Sequence, residues 1–359
     1  MLLYCILLML VIKCALPLSL PIRRTPATRL CGTVHPFSSS SPGYKVSSSG
    51  WIESITLTPP TTLPPPSPTS LHFIRSRPCY LKRDDLYRLP SNLSGNKSRK
   101  FLSLSSTPLP PCIASHGGPQ SNAMLALASI ANYNAVNFTY YVKTLPRHLR
   151  TYPTGNLMRA TTLGMNLVQL THSEYEAHFS SEEGMSDAPP TTLQAPNNKG
   201  TLFIPQGGAV EHSRYGCHQL AREIVEFWDG VEEKKGGLSV VIPSGTGTTA
   251  YYTHQYLALN NVTDINVLAV PCVGSAQYLK RQMKRLAGGS NATTPTVLKS
   301  RNKYTFAKPH KELLEVWREL QVRTVAQRAK KKAPVAPKCA CSHCMRCRSL
   351  CSLASVRFC

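Results

Sequence analysis

The stretch that decides the fold is Asn92 to Leu102, Asn-Leu-Ser-Gly-Asn-Lys-Ser-Arg-Lys-Phe-Leu. It opens on turn-forming residues and closes on residues that can begin an amphipathic helix. Gly95 and Asn96 tolerate a positive φ, so the backbone can bend sharply just before Lys97. The segment is predicted to hold the Lys97 amine at a loop-to-helix junction, where it could form a Schiff base. Taken alone, such a run is more often a solvated surface turn, and two later segments decide between these interpretations.

The first of these segments, Leu238 to Thr249, is predicted to be a strand, a Gly/Thr loop and the start of a helix. An apolar run stops at Pro243, and Ser-Gly-Thr-Gly-Thr-Thr follows it. Backbone N–H groups at a helix N-terminus, together with hydroxyl donors, form an anion site. No lysine follows the second glycine, which argues against a nucleotide P-loop. The segment is therefore interpreted as a phosphate-binding loop.

The second segment, Ile113 to Asn132, is predicted to be a strand end, a Gly-rich loop and a helix. The predicted strand covers Cys112 to His116 and the predicted helix covers Gln120 to Asn132, which places Ser121 in its first turn. His116, at the strand end, is interpreted as a structural residue, because a lone histidine beside an apolar run is usually part of a core.

Together these segments resemble the 1-aminocyclopropane-1-carboxylate deaminase and D-cysteine desulfhydrase family of pyridoxal-phosphate enzymes. The resemblance rests on Gly95 to Lys100 (Gly-Asn-Lys-Ser-Arg-Lys), Gly117 to Asn122 (Gly-Gly-Pro-Gln-Ser-Asn) and Thr246 to Thr249 (Thr-Gly-Thr-Thr). It implies an α/β fold, a two-lobed parallel α/β/α sandwich of the tryptophan synthase β-like pyridoxal-phosphate type. Short apolar runs that alternate with predicted helices independently indicate parallel sheets covered on both faces.

The resemblance also implies roles for single residues around pyridoxal 5'-phosphate. Lys97 would hold the cofactor and act as the base, with its pKa lowered by Arg99, Lys100 and burial. Ser121 would bind the substrate carboxylate, and Asn122 would donate a hydrogen bond to the 3-oxygen of the cofactor ring. The cofactor phosphate would be held by Gly245, Thr246, Gly247, Thr248 and Thr249. No metal ion is expected at this site.

The implied reaction releases ammonia and a 2-oxo acid from a small amino acid. It is either α,β-elimination from a substrate such as D-cysteine or ring opening of 1-aminocyclopropane-1-carboxylate, and the desulfhydrase type is favoured. One alternative is a catalytically incomplete relic that binds the cofactor, or a truncated gene product. Another is a basic, cysteine-rich nucleic-acid or metal module. A homodimer is expected if the C-terminus is complete, and no specific nucleic-acid partner is expected.

The N-terminal region is predicted to be a leader followed by a linker. Residues 1–30 begin with an apolar run whose only charge is Lys13 and continue as a basic, Ser-rich stretch, as import leaders do. We expect import into a plastid or mitochondrion; the alternative is the secretory pathway or a membrane anchor. Secretion would place a glycosylation sequon, Asn96-Lys97-Ser98, on the proposed cofactor lysine. Residues 31–71 are predicted to be a Ser/Pro-rich linker, and the catalytic region is predicted to span residues 72–320.

The C-terminal residues 321–359 form a basic, cysteine-rich tail. The chain has a net charge of +23 and thirteen cysteines. The tail holds six of those cysteines and no acidic residue, and Cys341 to Cys351 has the spacing of a cluster-binding run. We expect a truncated or mis-spliced C-terminus; a disordered basic tail and a zinc or iron–sulfur site are the alternatives. In the family, the residue that pairs with the pyridine nitrogen and the active-site tyrosines lie in a late C-terminal segment. Nothing after Gln321 in this chain matches that segment.

Overall fold

The structure is a computed structural model, in which the chain divides into two units, Met1–His310 and Lys311–Cys359. In the second unit, residues 311–315 are helical. All elements below belong to the first unit. The residues that the structure describes are 10–12, 44–55, 57, 59–74, 77–181, 184–185, 189–190, 192–196, 200–208, 210–232, 234, 236–288, 293–298, 310–315 and 318.

Strands and helices alternate through most of the first unit. The strands are β1 Leu10–Ile12, β2 Lys45–Val46, β3 Ile52–Ser54, β4 Thr69–Ile74, β5 Arg77–Lys82, β6 Cys112–His116, β7 Asn137–Lys143, β8 Asn166–Leu170, β9 Ser180–Ser181, β10 Gly184–Met185, β11 Thr201–Ile204, β12 Leu238–Ser244, β13 Ile265–Pro271 and β14 Thr296–Val297. The helices are α1 Asn96–Lys100, α2 Leu102–Ser106, α3 Asn122–Tyr133, α4 Arg147–Thr151, α5 Gly155–Thr162, α6 His172–Phe179, α7 Ser213–Asp229, α8 Thr248–Leu259 and α9 Ala276–Leu286. Two 3₁₀ turns lie at Asp84–Leu86 and Gln206–Gly208.

The first lobe is built on a four-stranded parallel sheet in the order β11-β6-β7-β8. Every residue of β6 and β11 is buried, as expected for parallel strands covered on both faces. Neighbouring side chains of β6 enter different cores. Ile113 packs in one core with Met124 of α3, whereas Ala114 packs in the other with Phe179 of α6. The lobe is therefore the predicted three-layered α/β/α sandwich.

The second lobe is built on a six-stranded sheet in the order β14-β13-β12-β1-β5-β4. The strands β12, β13 and β14 are parallel, whereas β1, β4 and β5 are antiparallel to their neighbours. Val240 of β12 packs with Trp228 of α7 and Leu279 of α9 in the core of this lobe. The parallel α/β sheet predicted from the sequence is confirmed here, with antiparallel strands from the N-terminal region added to it.

The boundaries of the central elements follow the sequence pattern closely. The strand Cys112–His116 has the predicted ends, and β12 with the start of α8 forms the strand, loop and helix start predicted over Leu238 to Thr249. The predicted helix Gln120 to Asn132 instead begins at Asn122, because Ser121 has an extended backbone and caps the helix. The loops that carry the motifs Gly117 to Asn122 and Thr246 to Thr249 follow the carboxyl ends of β6 and β12, and the turn Gln206–Gly208 follows that of β11. Ligands bind at such strand ends in open α/β sheets.

The linker predicted over residues 31–71 requires correction in its second half. Trp51 is only 2% exposed, and its ring packs edge-on against Phe203 at a centroid distance of 5.7 Å. Its Nε1 donates to the Leu193 carbonyl at 2.9 Å. The hydroxyl of Ser67 is buried as well and donates to Asp84. The folded region therefore extends to the N-terminal side of the predicted boundary at residue 72, because these side chains are buried against the sheet and the turn that follows β5.

Two predictions at the chain ends fall largely on undescribed residues. Within the predicted leader, only Leu10–Ile12 is described, as a strand between β5 and β12. The rest of residues 1–30 and the cysteines of the tail lie outside the described residues. Among the helices that the structure describes, none is long and apolar enough to cross a membrane.

Replacing Trp51 tests this corrected boundary. Trp51→Ala is expected to lower the free energy of unfolding by about 3–5 kcal/mol, because it leaves a cavity against Phe203 and removes the bond to Leu193. Tyr152→Ala is the control, since that ring is 74% exposed and its loss should cost at most about 0.5 kcal/mol. Urea unfolding measures both, and equal midpoints would show that residues 44–55 are a linker after all.

Candidate functional site

Lys97 lies where the sequence predicts it, just after the loop-to-helix junction. Gly95 has φ 87°, and α1 begins at the next residue. The amine of Lys97 donates to the carbonyl of Gly207 at 3.0 Å. Gly207 itself has φ 73° and lies in the 3₁₀ turn that follows β11, where a Cβ would come within 2.9 Å of Thr246. The lysine helix, the turn Gln206–Gly208 and the loop after β12 therefore meet at one point.

The predicted phosphate loop connects β12 to α8. Gly247 has φ 77°, and a Cβ there would lie 2.6 Å from Met283, so glycine is required for both conformation and space. The hydroxyls of Thr246 and Thr248 are 2.9 Å apart. Thr249 donates to the side-chain oxygen of Asn96 at 2.8 Å, which ties this loop directly to the junction that carries Lys97.

Lys100 is a second lysine at the same point. Its amine also donates to the Gly207 carbonyl, at 3.0 Å, and contacts the Thr246 hydroxyl at 3.3 Å. Lys100 is only 4% exposed, and burial together with the charge of Lys97 holds its pKa well below the usual value. No carboxylate within the described ranges pairs with it. The spacing of three residues places both amines on one face of the short helix α1.

Arg99 corrects one sequence-based expectation, that it would lower the pKa of Lys97. Its guanidinium is fully buried and donates to both oxygens of Glu223, at 2.7 and 2.8 Å, and to Asp84 at 3.0 Å. It also lies 3.6 Å from the ring centre of Tyr87. Glu223 pairs with Lys82 as well, at 2.7 Å. Two carboxylates thus neutralise Arg99, and its role is to attach α1 to α7 and β5.

The loop before α3 packs against the same turn. Gly117 has φ 142°, and a Cβ there would lie 2.7 Å from the Tyr140 hydroxyl and 3.1 Å from Gln206. The Oε1 atom of Gln206 is buried and has no hydrogen-bond partner among the residues that the structure describes. Gln206 precedes the Gly207 carbonyl that anchors both lysines. The Gly-rich loop after β6 therefore reaches the lysine site through Gln206.

Ser121 and Asn122 differ slightly from their predicted positions. Ser121 is the N-cap of α3, where its oxygen accepts from the N–H groups of Ala123 at 3.2 Å and Met124 at 3.4 Å. The helix N–H groups expected to bind an anion are thus partly satisfied by Ser121 itself. Asn122 is the first helical residue, and its Oδ1 accepts from Asn156 Nδ2 at 2.8 Å. Asn156 itself lies outside the three sequence motifs.

His116 is structural, as interpreted from the sequence. Its ring stacks on Phe179 at a centroid distance of 4.3 Å, and Nδ1 lies 2.9 Å from the Tyr175 hydroxyl. Burial lowers the pKa of His116 to about 3, so the ring is neutral at physiological pH. It belongs to the core on the α6 side of the first lobe.

Comparisons with known proteins identify the fold. No protein-family model matches the chain, and no curated protein matches it. Among solved structures, an ACC deaminase homologue is similar at 18% identity, over 74% of this chain and 81% of that chain, with a TM-score of 0.51. A fungal L-serine ammonia-lyase from Rhizomucor miehei has 15% identity over 71% and 73%, with a TM-score of 0.41. A pyridoxal 5'-phosphate-dependent aspartate racemase has 17% identity over 54% and 50%, with a TM-score of 0.37.

The likeness to the ACC deaminase homologue is one of fold. It extends over both lobes, and the parallel sheets with helices on their faces agree with it. The predicted two-lobed α/β architecture of the tryptophan synthase β-like type is therefore confirmed.

Replacing Glu223 tests the ion cluster that holds α1. Burial alone would raise the pKa of Glu223, but the charges of Arg99 and Lys82 lower it below 4.5 overall. A depressed carboxyl pKa stabilises the fold above the unfolded-state value and loses that contribution as the pH falls through the folded-state value. Glu223→Gln is expected to cost about 3–5 kcal/mol at neutral pH, because it leaves Arg99 and Lys82 undercompensated in the interior.

Glu226→Gln, on the exposed side of the same helix, is the matched control for this substitution. Denaturant unfolding measured from pH 7 down to pH 3 should show a weaker acid dependence for Glu223→Gln than for either wild type or the control. Identical pH profiles for the three proteins would contradict a stabilising role for the cluster.

Proposed function

We propose that this chain is a pyridoxal-phosphate-dependent enzyme that releases ammonia and a 2-oxo acid from a small amino acid, such as D-cysteine or 1-aminocyclopropane-1-carboxylate. The observation that carries the proposal is the pair Lys97 and Lys100, whose amines share the Gly207 carbonyl beside the loop Gly245 to Thr249. The motif resemblance supports it, and so does the fold shared with the ACC deaminase homologue.

The residues fit the cofactor on electrostatic grounds. A buried ammonium without a counter-charge is costly, and an anion placed beside Lys100 would remove that cost. The neighbouring loop supplies hydroxyls from Thr246 and Thr248 and the N–H groups that open α8. Among the described residues, a Cβ at Gly245 would have one neighbour within 4 Å, Val273 at 3.9 Å, so these residues leave the backbone of the loop open to close approach. A phosphate group is the anion that matches this donor set.

Lys97 performs two tasks in the proposed reaction. It would hold the cofactor through its amine, and it would take a proton from the reacting carbon, which is Cα in D-cysteine and a ring methylene carbon in 1-aminocyclopropane-1-carboxylate, whose Cα carries no hydrogen. While the Lys97 amine is not attached to the cofactor, its hydrogen bond to the Gly207 carbonyl would hold it in the site. When bound, pyridoxal phosphate supplies an electron sink for the charge that develops at that carbon.

Ser121 and Asn122 orient the reactants. The hydroxyl of Ser121 is placed by its bonds to the α3 backbone and would donate to the substrate carboxylate. Asn122 would donate to the ring oxygen of the cofactor. These tasks are orientation and proton placement. Both residues lie at the start of one buried helix, and this position suits such tasks. Between the two substrates, the motif resemblance favours elimination from D-cysteine.

The cofactor assignment can be tested by colour and affinity. The purified chain supplied with pyridoxal phosphate should show a visible yellow band, and Lys97→Ala should abolish it, because the covalent link is lost. Lys100→Met should keep the band at saturation but weaken cofactor affinity about tenfold or more, since a charge-assisted bond to phosphate is removed.

Borohydride reduction followed by peptide mapping locates the link in each variant. Lys143→Met is the control, because the amine of Lys143 is already paired with Glu176, and the substitution should leave both colour and affinity unchanged. A reduced linkage that persists in Lys97→Ala and disappears in Lys100→Met would contradict the assignment of the two lysines.

The reaction can be tested with six amino acids measured side by side: D-cysteine, L-cysteine, D-serine, 1-aminocyclopropane-1-carboxylate, L-serine and L-threonine. Ser121→Ala should lower kcat/KM about tenfold without loss of colour, because one hydrogen bond to substrate is removed. Thr248→Ala should instead weaken cofactor retention. Ser129→Ala is the control, since its hydroxyl bonds only to the Leu125 carbonyl within the same helix.

Two outcomes of the substrate assay would contradict the proposed reaction. Turnover confined to L-serine or L-threonine would assign the chain to another branch of the same fold. Cofactor binding without turnover of any amino acid would favour the catalytically incomplete alternative.

A further inference from the structure

Three side-chain amides join the loop before α3 to the start of α5. The Oε1 atom of Gln120 accepts from the backbone N–H of Asn156 at 2.9 Å, and its Nε2 donates to the Thr154 carbonyl at 3.0 Å. In return, Asn156 Nδ2 donates to the backbone carbonyl of Gln120 at 3.1 Å and to Asn122 Oδ1 at 2.8 Å. Asn156 is only 4% exposed. The side chains of Gln120 and Asn156 therefore each make two hydrogen bonds across this connection.

These bonds determine which way the Asn122 amide faces. A backbone carbonyl only accepts, so the group of Asn156 that contacts the Gln120 carbonyl must be its NH₂. The same NH₂ group donates to Asn122, and the partner atom there must be the oxygen. The NH₂ of Asn122 is on the other branch of the amide and consequently faces away from Asn156. Without Asn156, no hydrogen bond from α5 would fix which of its two orientations the Asn122 amide adopts.

We propose that Asn156 is a positioning residue that holds Asn122 in the orientation in which its NH₂ donates to the ring oxygen of the cofactor. The inference rests on the proposed function, because Asn122 has this role only in a pyridoxal-phosphate enzyme. Asn156 acts through Asn122. A donor to the ring oxygen stabilises its negatively charged form, so the loss of that donor raises the pKa of the cofactor's colour change.

The experiment is a pH titration of the visible band in the full chain loaded with pyridoxal phosphate, together with cofactor affinity by equilibrium dialysis. In Asn156→Ala, the pKa of the colour change should rise by about half to one pH unit, which corresponds to one hydrogen bond. Asn156→Asp has the same size, but its carboxylate only accepts. It should attract the NH₂ of Asn122, turn that amide around and raise the pKa at least as much.

Two comparisons separate positioning from a merely structural role. Asn132→Ala is the matched control, because Asn132 also joins α3 to the end of α5, by a bond to the Leu163 carbonyl at 3.2 Å, but lies at the opposite end of the helix. It should lower stability and leave the pKa of the colour change unaltered. The double variant Asn122→Ala/Asn156→Ala should behave like Asn122→Ala alone, since two residues that act through one bond are not additive.

Three results would overturn the inference. One is an unchanged pKa of the colour change in folded Asn156→Ala. Another is an additive effect in the double variant. If Asn156→Ala does not fold, Asn156→Asp is measured instead. A pKa of the colour change in Asn156→Asp equal to that of the wild type is the third result and refutes the role. A wild-type chain that forms no band at all would refute the proposed function and this inference together, whereas a normal band with an insensitive Asn156 refutes the inference alone.

Discussion

The buried bond between Arg99 and Glu223 is the interaction on which the position of the site depends. Arg99 lies two residues after Lys97 in a helix of five residues, which is too short to be stable by itself. The guanidinium connects this helix to Glu223 of α7 and to Asp84 in the turn after β5. The backbone makes a close contact as well, because a Cβ at Gly216 of α7 would lie 2.0 Å from the Arg99 carbonyl oxygen. The lysine is thus placed by its neighbours in the fold.

Arg99 and Lys100 are adjacent basic residues and both are buried, yet carboxylates among the described residues compensate only Arg99. Arg99 has two carboxylates and an aromatic ring around it. Lys100 has a carbonyl and a threonine hydroxyl. Burial of a charge is tolerated when it is paired and is costly otherwise, so the first arrangement is that of a structural cation. In the second arrangement, no carboxylate among the described residues pairs with the amine, and the proposed phosphate would supply the counter-charge.

The lysine site is also linked to both lobes through hydrogen bonds whose acceptors are neutral groups. Thr249 binds Asn96, and the Gly207 carbonyl binds both lysines. Further out, Gln120, Asn122 and Asn156 connect the loop before α3 to α5. An amide can donate and accept at the same time, so a chain of amides transmits orientation as well as position. The loops of the site are therefore held by these hydrogen bonds as well as by apolar packing.

The sequence by itself determined the alternation of strands and helices, the order of the three motifs and the location of Lys97, because hydrophobic periodicity and turn residues act locally. Pairings between residues distant in the sequence were decided only by the tertiary structure. Nothing local distinguishes Arg99 from Lys100, since Glu223 is 124 residues from Arg99 and Thr246 is 146 residues from Lys100. Asn156 follows a glycine in a polar stretch and gains its significance from contact with Asn122. Trp51 lies in a segment without periodicity and is buried only because Phe203 and Leu193 meet it there.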